Sequence, residues 1–166
     1  TGVQTCALPI FSTYVYTGNG STQTITNNID LSTKGGLVWI KDRSVAAASH
    51  NLYNTVSGAN KYLLTNTTFA EQNTPGKLSS FNNNGFSLGV DVDGNTNASN
   101  TPYVSWTFRK QKKFFDIVTY TGDGTFTQQI SHNLGSVPKF IIVKCTSASS
   151  SWAVYHDDGT TDRKST

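Results

Sequence analysis

Acidic residues able to work as a pair are what this chain lacks most. Glu71 is its single glutamate, in a polar, loop-like stretch. A glycosidase needs two carboxyl groups flanking the scissile bond, one as acid and one as nucleophile or base. Asp157 and Asp158 are adjacent and would face opposite ways if extended, so a hydrolase of that kind is disfavoured. Cysteine is equally scarce. Cys6 falls in the first ten residues, and Cys145 stands alone in an apolar run. That excludes a disulfide framework and CxxC metal spacing, and it predicts a small buried side chain at Cys145. His50, His132 and His156 lie far apart, with no cysteine or acid pair at ligand spacing. Capping or packing is their expected role. There is no GxSxG elbow and no glycine-rich phosphate loop ahead of a helix. No apolar run approaches the roughly 20 residues that a membrane-spanning helix requires.

Charge is thin as well. Charged residues make up 14% of the chain, against about a quarter in typical domains. The net charge of +3 rests on one cluster, Arg109, Lys110, Lys112 and Lys113. Without it the balance turns slightly acidic, so no basic field marks a nucleic-acid partner. The cluster reads as a solvated linker. From these absences the expectation is a protein that is no enzyme, carries no cofactor and engages neither nucleic acid nor membrane.

What the chain has in abundance is Asn, Ser, Thr and Gly, with aromatics at 11%, too many for a disordered polar segment. Short runs of strand formers separated by turn signals predict an all-β, antiparallel sandwich with little helix. Residues 36–41 and 140–144 are continuous apolar runs, as expected for strands covered on both faces. Residues 103–108 alternate, which places Val104, Trp106 and Phe108 in a core and Ser105 and Thr107 outside it. Asn84-Gly85 predicts a hairpin, as do Thr17-Gly18-Asn19-Gly20 and Thr121-Gly122-Asp123-Gly124. Residues 45–48 have room for one helical turn and nothing longer.

The chain also repeats itself. Tyr16-Thr17-Gly18-Asn19-Gly20 returns as Tyr120-Thr121-Gly122-Asp123-Gly124, about 104 positions on, a module-sized period. Phe11 matches Phe115, Ile25-Thr26-Asn27-Asn28 matches Ile130-Ser131-His132-Asn133, and Leu37-Val38-Trp39-Ile40-Lys41 matches Phe140-Ile141-Ile142-Val143-Lys144. The expected organisation is a complete module at 11–108, a basic linker at 109–113 and the first half of a second module at 114–166. Residues 1–10, TGVQTCALPI, resemble a translated sequencing adapter and are expected to stand outside the fold. The chain thus reads as a fragment at both ends. Strands are expected in the second copy at 115–120, 140–145 and 152–155. Without counterparts of 62–64, 86–88 and 104–106, that copy should be less stable than the first, or should dock on it.

Several stretches carry a family resemblance: Gly35-Gly36-Leu37-Val38-Trp39-Ile40-Lys41-Asp42-Arg43, Asn84-Gly85-Phe86-Ser87-Leu88-Gly89, Tyr103-Val104-Ser105-Trp106-Thr107-Phe108-Arg109, and His132-Asn133-Leu134-Gly135-Ser136-Val137-Pro138-Lys139 with the strand after it. They resemble modules of tailed-phage virion structural proteins, which often occur in tandem. The resemblance implies a concanavalin-like jelly roll with a structural and adhesive function in a tail fibre or appendage. Other virion proteins, a second copy or a host-surface glycan would be its partners, and the virion its location. A glycan-binding module of a secreted bacterial protein is the competing reading. It would stack sugars on aromatic rings, and Tyr53, Tyr62, Tyr103 and Tyr155 are the freer candidates, since Trp39, Trp106 and Trp152 fall in strand patterns that favour core packing. Asp91, Asp93 and Asn95 offer oxygens at alternate positions to a calcium ion, although the spacing departs from an EF-hand. An ordinary polar turn explains the same residues.

Overall fold

The computed structural model describes residues 8–91 and 93–157, together with the backbone of 162–165. Every regular element among them is a strand, and every strand pairing is antiparallel. The all-β expectation holds. A six-stranded sheet runs in the order β1 (Phe11–Thr17), β9 (Pro102–Arg109), β3 (Gly36–Asp42), β4 (His50–Asn54), β5 (Lys61–Leu64), β6 (Gln72–Asn73). A three-stranded sheet orders β2 (Gln23–Thr26), β8 (Gly85–Leu88) and β7 (Leu78–Asn82). A separate meander joins β10 (Phe140–Val143), β11 (Ala153–Asp157) and β12 (Asp162–Ser165).

The first two sheets share one core, consistent with a β-sandwich. Tyr16, Val38, Ile40, Tyr53, Tyr62 and Tyr103 come from the large sheet, and Ile25, Leu78, Phe86 and Leu88 from the small one. Ile29 and Leu31 join the core from the connection between β2 and β3. Polar residues enter the same interior because they satisfy one another: Asn27 donates to Thr107 Oγ1 at 2.8 Å, and Asn97 donates to the Gly89 carbonyl at 3.0 Å. A buried polar group that finds such a partner escapes its desolvation penalty.

The facing of β9 is the reverse of the expected one. Tyr103, Ser105, Thr107 and Arg109 are buried, whereas Val104, Trp106 and Phe108 are half-buried on the outside. β3 alternates in the same way, so one of its faces is sealed and the other is partly open, not covered on both. The Asn84-Gly85 hairpin forms, with its turn one residue earlier, at Asn83-Asn84. Gly85 has a φ of 149°, and a Cβ there would overlap the Ile25 carbonyl oxygen, so only glycine fits. Thr17-Gly18-Asn19-Gly20 is a turn but not a hairpin, because it carries the chain from one sheet to the other. Residues 45–48 make a single turn closed by the Ala48 N–H on the Val45 carbonyl at 3.2 Å.

Beyond β9 the expected strand at 115–120 is absent; Phe115 makes an isolated bridge with Gln111. The strands at 140–143 and 153–157 form, but all four residues of β10 are exposed. Cys145, just past β10, is therefore exposed as well, not buried. Hydrogen bonds from Ser147 and from the backbone N–H groups of Ser147 and Ala148 hold its thiol below the ordinary value. This region does lean on the first. The Trp152 indole donates to the Thr67 carbonyl at 2.9 Å, and backbone bonds link Glu71 to Thr146 and Ser150 to Thr68.

The basic cluster falls at this junction, with Arg109 and Lys110 engaged by the fold and Lys112 and Lys113 exposed. Arg109 ends β9 and is buried. Lys110 pairs with Asp116 at 2.8 Å, and the Lys113 N–H bonds the Leu134 carbonyl at 2.8 Å. The expectation that residues 1–10 stand apart falls, for 1–7, outside the described residues. Ile10, just before β1, accepts the Arg109 N–H at 2.8 Å.

Candidate functional site

Three of the four tyrosines proposed as sugar platforms are core residues. Tyr53 and Tyr103 are fully buried and Tyr62 nearly so, while Tyr155 is half-buried on β11. A buried phenol needs a partner for its hydroxyl; Tyr62 meets Lys77 and Thr74, while Tyr103 and the core Tyr16 reach the loop that follows β8. Tyr103 donates to the Gly94 carbonyl at 2.7 Å and accepts the Ala98 N–H at 3.0 Å. Tyr16 donates to the Thr96 carbonyl at 2.7 Å. Burial pushes the hydroxyls of Tyr16, Tyr53 and Tyr103 above the ordinary tyrosine range, so they stay protonated.

The same loop holds the candidate calcium ligands, and the chain engages one carboxylate oxygen each of Asp91 and Asp93, while Asp91 Oδ1 is buried without a hydrogen-bond partner. The buried carboxylate of Asp91 accepts the Thr96 and Asn97 N–H groups and the Thr96 hydroxyl. Asp93 turns to the fully buried Lys77, 2.8 Å away. Burial pulls the Lys77 ammonium towards neutrality, but Asp93 and Tyr62 more than offset that and hold its pKa above the ordinary lysine value. Asn95 bonds the Asp93 carbonyl at 3.3 Å. Among the described residues no group of three or more His, Cys, Asp or Glu side chains is placed to hold a metal ion. The loop is a polar cap on the core.

The histidines play local roles. His132 Nδ1 accepts the Leu134 N–H at 3.2 Å, and the His156 ring stands against Phe140. His50 lies elsewhere, on the outer face of the large sheet. That face is where the unassigned aromatic surface is found.

Strand register lays its side chains out in rows. Thr13, Trp106, Trp39 and Leu52 face one another across β1, β9, β3 and β4. One row above stand Phe11, Phe108 and Leu37; one row below stand Val15, Val104, Lys41 and His50. The Trp39 and Trp106 rings meet edge-on at 5.6 Å, with His50 6.2 Å from Trp39. Phe11 and Phe108 are 4.8 Å apart, and Phe114 and Phe115 extend the row past Phe108. Burial, then the charge of Lys41, holds His50 below the ordinary histidine range. Its imidazole is therefore neutral near pH 7, with one donor and one acceptor. A contiguous apolar face of this kind, rimmed by polar groups, is what interaction surfaces look like.

Alternation within 103–108 fixes which residues share a face but not which face is inside. Lys41 was the available signal. It sits at i+2 from Trp39 and i+4 from Leu37, and a lysine on a strand face points that face towards water.

No curated protein matches the chain, and neither does any solved structure. One family model does, across residues 9–165, from two residues before β1 through to the last strand of the meander. The chain belongs to that family, DUF7483, a domain of unknown function.

Proposed function

We propose that the chain is a non-enzymatic adhesion module of a virion surface structure, in a tail fibre or another appendage, and that it holds host-surface glycan on the outer face of its large sheet. The resemblance of its strand motifs to tailed-phage virion modules supports the setting. On this reading residues 11–108 form a concanavalin-like jelly roll, and the partners are other virion proteins and a carbohydrate.

One observation carries the glycan assignment: the Trp39–Trp106 pair on a partly open face, beside His50 and Lys41. The C–H face of a sugar ring packs on an indole as other apolar surface does. A neutral imidazole and an ammonium at the edge supply the hydrogen bonds that fix orientation.

Tryptophan emission should report binding when the chain is titrated with a panel of bacterial surface oligosaccharides. For an oligosaccharide that binds, Trp39→Ala and Trp106→Ala should each weaken affinity at least about tenfold, or about 1.4 kcal/mol. Phe126→Ala, in the other half of the chain, should leave affinity unchanged. Undiminished affinity in both tryptophan variants would remove the face from the account. Release of reducing sugar would make the protein an enzyme.

A further inference from the structure

The face around Trp39 and Trp106 carries charge of one sign. In the six strands of the large sheet the single acidic residue is Asp42, and it is buried on the inner side with Val38 and Ile40. Its carboxylate already accepts the Ser44 N–H and hydroxyl, each at 2.7 Å, and the Val45 N–H at 3.2 Å. In the loop ahead of β9, Asp91 and Asp93 are bound into the polar cap, on Thr96 and Lys77. Glu71 lies just before β6, three strands from β3 in the sheet order, and its N–H bonds the Thr146 carbonyl.

The cations lie on the outside. Leu37, Trp39 and Lys41 share the outer face of β3, and alternation carries that face on to Arg43. The Arg43 N–H bonds the Pro102 carbonyl at 2.9 Å, which continues the ladder between β3 and β9. Two residues of extended chain put Lys41 roughly 7 Å from Trp39, and Arg43 about as far again. The Lys41 ammonium donates to the Asp42 and Val45 carbonyls, both at 2.8 Å. Those bonds fix the ammonium without neutralising it, and they leave one of its three donors free. Its charge reaches His50, its cross-strand partner, where after burial it is the second cause of the lowered imidazole pKa. Arg43 is exposed, and no ion pair among the described residues engages either cation. Asp42 offsets one of the two charges at long range, so this corner of the face retains an excess of one.

We infer that the glycan held on this face is acidic, a sugar whose carboxylate or phosphate group lies against Lys41 and Arg43 while its ring packs on Trp39 and Trp106. The inference rests on the glycan reading and names its substrate class. Charge complementarity carries it: an anion meets two cations here and no outward carboxylate of the sheet to repel it. The planar fork of a guanidinium fits either oxyanion. A neutral sugar would leave that fork to water.

The test is calorimetric titration of the intact chain with two series of ligands. One holds uronic-acid oligosaccharides and their methyl esters; the other holds phosphorylated oligosaccharides and their unphosphorylated parents. At least one acid should bind at least about fivefold tighter than its neutral counterpart, and the series it belongs to identifies the anion. Arg43→Gln should reduce that preference at least about threefold and leave binding of the neutral counterpart unchanged. Lys112→Gln, an equal loss of charge at an exposed site elsewhere, should leave the preference intact. Equal binding of acidic and neutral forms would overturn this inference and leave the glycan reading standing. A preference that survives Arg43→Gln, or acid binding that Trp39→Ala does not weaken, would also overturn it, as general attraction to a positive protein. Absence of binding by every sugar would remove both readings, and self-association lost in Trp106→Ala would then give the face to a second copy of this chain.

Discussion

Gly18 and Gly122 sit in the same turn of two matching segments, yet their surroundings have nothing in common. A Cβ on Gly18 would overlap the Ala98 carbonyl oxygen and crowd the Tyr103 ring; a Cβ on Gly122 would meet nothing within reach. Similar local sequence has made a similar local turn in both places. What differs is the arrival of a later segment. Around Gly18 the loop before β9 packs down on the turn, with the Gly18 N–H on the Thr101 carbonyl at 2.8 Å. Around Gly122 nothing does so among the described residues. Turn chemistry is therefore local, whereas strands and core depend on partners far along the chain.

The largest expected contrast is between core side chains of the two halves. Phe86 is fully buried between the sheets, so Phe86→Ala should cost about 3–5 kcal/mol. Ile142→Ala, at a half-exposed strand residue of similar character, should stay within about 0.5 kcal/mol. Urea denaturation followed by tryptophan emission would separate them. Comparable losses would mean that β10 is buried in solution.

A smaller contrast lies in the turns themselves. Gly18→Ala should cost about 1–3 kcal/mol by overpacking, and Gly122→Ala should fall within about 0.5 kcal/mol of the parent. Melting temperatures of the two variants would decide, and equal shifts would argue against an open second turn.

The strands of the first copy were legible where apolar runs met clear turn residues, as at 36–41, 103–108 and around Asn84-Gly85. Their facing was not. Ser105 and Thr107 entered the core because the interior already held polar partners such as Asn27, which no single strand pattern reveals. Tyr103 was misplaced for a related reason: a buried phenol is acceptable once a loop carbonyl such as that of Gly94 reaches it, as that of Thr96 reaches Tyr16. Those contacts join residues up to 80 positions apart, beyond the reach of local reading. The outer aromatic face was written in the sequence all along, but as the wrong side of the sheet. In the second copy the strand pattern at 115–120 was real as a pattern. It failed as a strand because β1 depends on β9 and 115–120 has no such neighbour among the described residues.

Hydrogen exchange along the unmodified chain tests the central claim most directly, namely that β7, β8 and β9 close the first half of this chain while its second half stays open. Amides at 37–42 and 103–109 should exchange only through global unfolding, those at 140–143 by local opening, and those at 116–131 within about tenfold of unstructured rates. Protection at 116–131 equal to that at 103–109 would contradict the account and show the two halves to be one closed fold.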